Sequence, residues 1–121
     1  DNEIIDFLHS AIYKPAELQG DVLIAWKIWF SSYTERLKLE TASSSERSAK
    51  MNSVNPKYVL RNYMSQLAID KADNGDNSLI SELFELLKRP YEEQEEGEKW
   101  YAKRPEWARN KVGCSMLSCS S

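Results

Sequence analysis

A chain of 121 residues and 14.0 kDa, 41% hydrophobic and 29% charged, has the composition of one globular domain burying roughly two thirds of its unfolded surface. Its 16 Lys and Arg against 19 Asp and Glu leave a formal charge of -3 and no basic stripe to neutralise a line of phosphates, which argues against nucleic acid as a partner. The longest run free of polar side chains, Val22 to Trp26, falls far short of the roughly 20 residues that cross a bilayer, so no membrane partner is expected either.

The amino end, Asp1-Asn2-Glu3, is acidic and has no initiator methionine, so it reads as a fragment or processed product and not as a signal peptide. Ile4, Phe7, Leu8, Ala11 and Ile12 recur at helical spacing, which predicts a first helix that Pro15 stops. After Gly20-Asp21, Val22, Trp26, Trp29, Phe30, Tyr33 and Leu37 form a second stripe, with Lys27, Ser31, Thr34, Arg36 and Lys38 on the other side. Ser43 and Glu46 fit a capping box for a short polar helix ending near Met51.

Asn55-Pro56 matches a helix start, because asparagine caps free amides and proline suits the first helical position. A third long helix is expected from there, with Leu60, Tyr63 and Met64 in the core, Leu67, Ala68 and Ala72 on the same face and Asn74-Gly75 as its left-handed stop. Asp76 then caps a helix whose face is Leu79, Ile80, Leu83, Phe84 and Leu87, whose last turn holds Lys88 and Arg89, and which Pro90 ends. No segment alternates with period two, so the fold class is all-α: four or five helices over residues 1–90, then an irregular strap and a cysteine-bearing tail over 91–121 of the same domain. In that strap Trp100, Tyr101 and Trp107 read as anchors onto the helices or onto another domain.

Candidate chemistry is thin. His9 stands apart from any second histidine or cysteine at metal-ligand spacing and reads as structural or surface. Asp70, Asp73 and Asp76 superficially suggest a calcium loop, but a loop begun at Asp73 would need its glutamate where Phe84 stands, so helix capping is the better reading. The isolated glycines cannot wrap a phosphate, and Trp26, Trp29, Phe30 and Tyr33 at helical spacing read as core in preference to a ligand platform. The five glutamates between Tyr91 and Lys99 read as a solvated surface, with an acidic docking site for a basic partner as the rival.

Both cysteines, Cys114 and Cys119, fall in the last eight residues. A pair this close is no disulfide framework, which favours a reducing compartment. Flanked by serines and a glycine near a chain end, both read as exposed thiols: ordinary surface groups, a mutual bridge, or the pair of a small thiol oxidoreductase. The oxidoreductase is the weakest of these, since a C-x4-C tail lacks the helix amino-terminus that acidifies such thiols.

Taken together, Asn55-Pro56-Lys57-Tyr58-Val59-Leu60-Arg61-Asn62, Gly75-Asp76, Pro90-Tyr91-Glu92-Glu93-Gln94, Pro105-Glu106-Trp107-Ala108 and Ser118-Cys119-Ser120-Ser121 resemble the carboxyl-terminal region of the selenoprotein O family. The resemblance covers about residues 50 to 121 and, more loosely, the helix with Trp26, Trp29 and Tyr33. It implies a kinase-like fold that moves AMP from ATP onto Ser, Thr or Tyr hydroxyls of protein substrates with Mg or Mn, in a bacterial cytoplasm or a eukaryotic mitochondrion. Its catalytic elements would lie upstream, so no catalytic, cofactor or metal residue maps here, and this helical region would brace the upstream kinase-like domain. Cys119 matches the family position held by cysteine or selenocysteine, which implies redox regulation through a bond to a cysteine outside these residues or to Cys114, with Cys114 as the accessory thiol. The alternative is an independent helical interaction module without activity.

Overall fold

The computed structural model describes residues 2–115. Among them stand five α-helices, α1 Asn2–His9, α2 Gly20–Lys38, α3 Ser44–Val54, α4 Asn62–Asp73 and α5 Ser78–Leu87, with 3-10 turns at Pro15–Glu17, Glu95–Trp100 and Glu106–Arg109. The all-α expectation holds. The chain forms two compact units, Asp1–Ser44 and Ser45–Ser121.

The first unit is built from α1 and α2. The first helix is shorter than its apolar spacing predicts: the amides of Ala11 and Ile12 both close back onto the carbonyl of Leu8, and α1 ends at His9. Pro15 then keeps Lys14 out of the helical region, at φ −125° and ψ 83°, so no helix runs on into the following turn. Along α2 the aromatic rings pack on one another. Trp29 stacks on Tyr33 with centroids 5.1 Å apart, Phe30 meets Trp29 edge-on at 5.1 Å, and Phe7 of α1 meets Phe30 edge-on at 5.6 Å. Among the described residues of this unit, only Leu8 and Leu18 are buried.

The second unit has a true core: Tyr58, Tyr63, Met64, Ala68, Leu79, Leu83, Leu86, Ala108 and Cys114 form one buried cluster. Asn55-Pro56 does not open a helix. Asn55 instead closes α3, donating from both its backbone amide and its Nδ2 to the carbonyl of Met51, and Pro56 prevents continuation. The amides of Lys57 and Tyr58 then reach the carbonyl of Pro90, which holds residues 56–61 in an irregular run and seats the Tyr58 ring in the core; α4 starts only at Asn62. The later start leaves Leu60 51% exposed, correcting its expected core place, while Tyr63 and Met64 are buried as expected.

Gly75, at φ +82°, supplies the left-handed stop after α4, and the carboxylate of Asp76 accepts the amide hydrogen of Ser78 at 2.9 Å to open α5. On α5 the buried stripe is Leu79, Leu83 and Leu86, at steps of four and three. Ile80 and Phe84, expected on that face, point outward because Leu86 takes the third inward position.

Candidate functional site

The strap that follows α5 is where the sequence places its only candidate functional residues, and it is tied down link by link. Gln94 begins it: its Nε2 donates to the carbonyls of Leu86 and Arg89, satisfying the free carboxyl end of α5, while its backbone carbonyl accepts the Tyr58 hydroxyl at 3.0 Å. Gly97 follows, buried so tightly that a Cβ there would come within 2.3 Å of Leu86 Cδ1, so any side chain would displace the core. Trp100 packs on the core and donates its indole N–H to Glu82 at 2.9 Å, beside the Lys99–Glu82 ion pair at 2.6 Å. The Lys99 contact, with help from Trp100 and against the effect of burial, holds the Glu82 carboxyl below its usual range.

The glutamate run is the solvated face expected of it, and part of it is ion-paired. Lys57, its side chain 15% exposed, donates to Glu93 and, at 2.8 Å, to Glu98, and its ammonium lies 4.8 Å from the Tyr101 ring centre. Those two carboxylates, Glu93 first, keep the ammonium charged well above the ordinary lysine range in spite of its burial. Arg89 pairs with Glu92 at 2.9 Å. Three of the five glutamates are thus ion-paired within the unit, and all five remain exposed. A cleft of about 450 Å³ opens beside Lys57, lined by Asn52, Asn55, Tyr91 and Tyr101.

Further on, Arg61 donates to the carbonyl of Ala102 at 2.8 Å, and the Trp107 ring meets Tyr63 edge-on at 6.3 Å. Lys111 reaches back to Asp70 at 2.5 Å, where Gln66 also donates at 2.8 Å; Lys111 above all holds the Asp70 carboxyl below its usual range. Of the three aspartates read as helix caps, Asp76 opens α5 as expected and Asp70 instead clasps the strap. The chain then turns at Gly113, φ +83°, where a Cβ would sit 2.6 Å from Gln66 Oε1. Arg104 donates to Ser115 at 2.5 Å to close the segment.

This turn decides the place of Cys114. The expectation of an exposed thiol is overturned: Cys114 is 6% exposed and belongs to the core cluster, because Gly113 and the amide bonds of Cys114 and Ser115 to the carbonyl of Lys111 fold it inward. Cys119 lies outside the described residues. Among the described residues no three His, Cys, Asp or Glu side chains converge as a metal would require, and His9 stands on α1 in the first unit while Cys114 sits in the second. What the described residues offer is shape and anchorage. Lys57, Arg61, Gln94 and Lys111, which hold the strap, leave no local sequence signal, since most of their partners lie 36 to 41 residues away.

No protein-family model matches the chain. Curated relatives do. The chain is 60% identical over 117 residues to the protein nucleotidyltransferase YdiU of Flavobacterium johnsoniae, 50% over 121 residues to that of Rhodopirellula baltica and 47% over 117 residues to that of Aromatoleum aromaticum. These matches take in 97%, 98% and 97% of the chain. The chain spans 22% of the length of each of these relatives and corresponds to their carboxyl-terminal part. An all-helical piece closed by a clasped strap, and matched along nearly its whole length, is thus one region of a larger kind of protein. That kind is the selenoprotein O family, to whose carboxyl-terminal region the chain belongs.

Proposed function

We propose that these residues are the carboxyl-terminal helical part of a protein adenylyltransferase, which moves AMP from ATP onto Ser, Thr or Tyr hydroxyls of other proteins. In that reaction the hydroxyl oxygen bonds to the α-phosphorus, pyrophosphate leaves and the hydroxyl proton passes to a base. The groups that do this, with the divalent metal that would neutralise the phosphates, belong to the part of the protein outside these residues. The helical region described above braces that part.

One observation carries the reading: 60% identity across 97% of the chain to a protein named as a nucleotidyltransferase. The named activity belongs to that relative, and its extension to this chain rests on the level of identity.

Cys119 is the regulatory handle in this proposal. Its thiol and a cysteine outside these residues form a disulfide, two protons and two electrons passing to a small-molecule disulfide that is reduced to two thiols. Cys114 takes part only when the turn at Gly113 opens, because a buried thiol is a poor partner in exchange. In the full-length protein, Cys119→Ser is expected to abolish the difference in AMP transfer between oxidised and reduced samples. A redox response that survives the substitution sinks the regulatory role, and AMP transfer by the 121-residue chain alone sinks the division of labour.

A further inference from the structure

α2 is apolar on two opposite sides. At about 100° per residue, Val22, Trp26, Trp29, Phe30 and Tyr33 fall within one arc about 100° wide, and Ile24 and Ile28 lie together on the far side. Between Val22 and Phe30 only Lys27 is charged. A surface helix carries one apolar stripe, whereas a helix apolar all round is an interior helix. Yet no residue of α2 is buried: Trp29 is 51% and Ile28 is 63% exposed, and Val22, Ile24 and Tyr33 are exposed as well. Within its unit, α1 brings Phe7 to Phe30, and Phe7 itself stays exposed.

Exposed apolar surface of this extent has to be covered by something. A bilayer is a poor candidate, as none of the described helices is long and apolar enough to cross one. A second copy related by a two-fold axis would cover one side of α2 and leave the other wet. The longer protein offers more. Some four fifths of each relative lies outside the matched region, and because that region is carboxyl-terminal, the rest precedes it in the chain.

We propose that the first three turns of α2, residues 22 to 30, are an interior helix of the longer protein, enclosed on both sides by the part that precedes these residues. This rests on the chain being a region of such a protein, though not on the reaction that protein performs. The terminal strap and its cysteine are thereby separated in role from α2: the second unit folds around its own core, and α2 is the element that locks the region to the remainder.

Hydrogen exchange read by mass spectrometry on a peptide spanning residues 20–30 tests it, in the full-length protein and in the 121-residue chain. Exchange at least about 100-fold slower in the full-length protein is expected, because enclosed amides exchange only through rare openings. Equal protection in the two samples overturns the proposal, since the cover would then lie within these residues. Protection that disappears when a full-length oligomer is diluted to monomer also overturns it, assigning the cover to a second copy. In the full-length protein Ile28→Asp should lower the melting temperature sharply and Thr34→Asp, at an exposed polar position of the same helix beyond the enclosed residues, should not; equal and small effects count against enclosure. Slow exchange in a protein that lacks AMP transfer leaves the enclosure standing and removes only the proposed activity.

Discussion

At the scale of single residues, Cys114 is the instructive case. Its neighbours in sequence, Gly113 and Ser115, are small and polar and its position is close to a chain end, all of which predict exposure. The fold reverses this, because Gly113 adopts a conformation that side chains resist and turns Cys114 into a cluster that includes Tyr58, Met64 and Leu83. Cys114 therefore acts as a small apolar wedge under the end of the strap. In a Cys119→Ser chain, where Cys114 is the one thiol left, labelling by a thiol reagent should run on the order of 100-fold slower in buffer than in denaturant, as expected when a residue must await an opening costing about 3 kcal/mol. Labelling at the denatured rate in buffer would return Cys114 to the surface.

At the scale of elements, the sequence was clear where a signal is local and misleading where one signal has two uses. Gly75 and Asp76 divide α4 from α5 as their chemistry predicts. Asn55-Pro56 is ambiguous: asparagine can cap the start of a helix or satisfy carbonyls at its end, and here the carbonyl of Pro90 captures the next two amides and delays α4. On α5 six apolar positions compete for a stripe that holds Leu79, Leu83 and Leu86. The strap was legible as an irregular aromatic segment, and its clasps were not, since no pattern within a few residues connects Asp70 with Lys111 or Lys57 with Glu98.

The Asp70–Lys111 clasp leads to a pH signature. Asp70 titrates below its ordinary value in the folded chain, chiefly through Lys111 and then Gln66, so the unfolded chain binds the proton more readily. Its contribution is complete above the ordinary carboxylate value of about 4 and is lost as pH falls through the lowered one. Asp70→Asn should therefore melt a few degrees below the parent chain at neutral pH, the gap closing as both are acidified toward about pH 2. A gap that stays constant across that range would mean that Asp70 acts by packing alone.

At the scale of the whole molecule, the two units carry unequal means of staying folded. The unit spanning Ser45–Ser121 joins nine buried side chains from the run before α4, from α4, α5 and the strap into one cluster, and its clasps bind segments some 40 residues apart. The unit spanning Asp1–Ser44 buries Leu8 and Leu18 and otherwise leaves its apolar side chains partly or largely in water. A core of that first size, in a body of this length, supports about 3–5 kcal/mol of stability, which is enough for a cooperative transition. Two buried leucines are not. Residues 45–121 expressed alone should therefore melt within about 4 °C of the second-unit transition in the 121-residue chain, as expected when less than about 0.5–1 kcal/mol is lost. Residues 1–44 alone should show no cooperative transition, their helices needing the rest of the protein to hold them. Loss of the transition from 45–121 would show that its core depends on the first unit, and with it would fall the division between a self-supporting clasp and a helix borrowed from a larger interior.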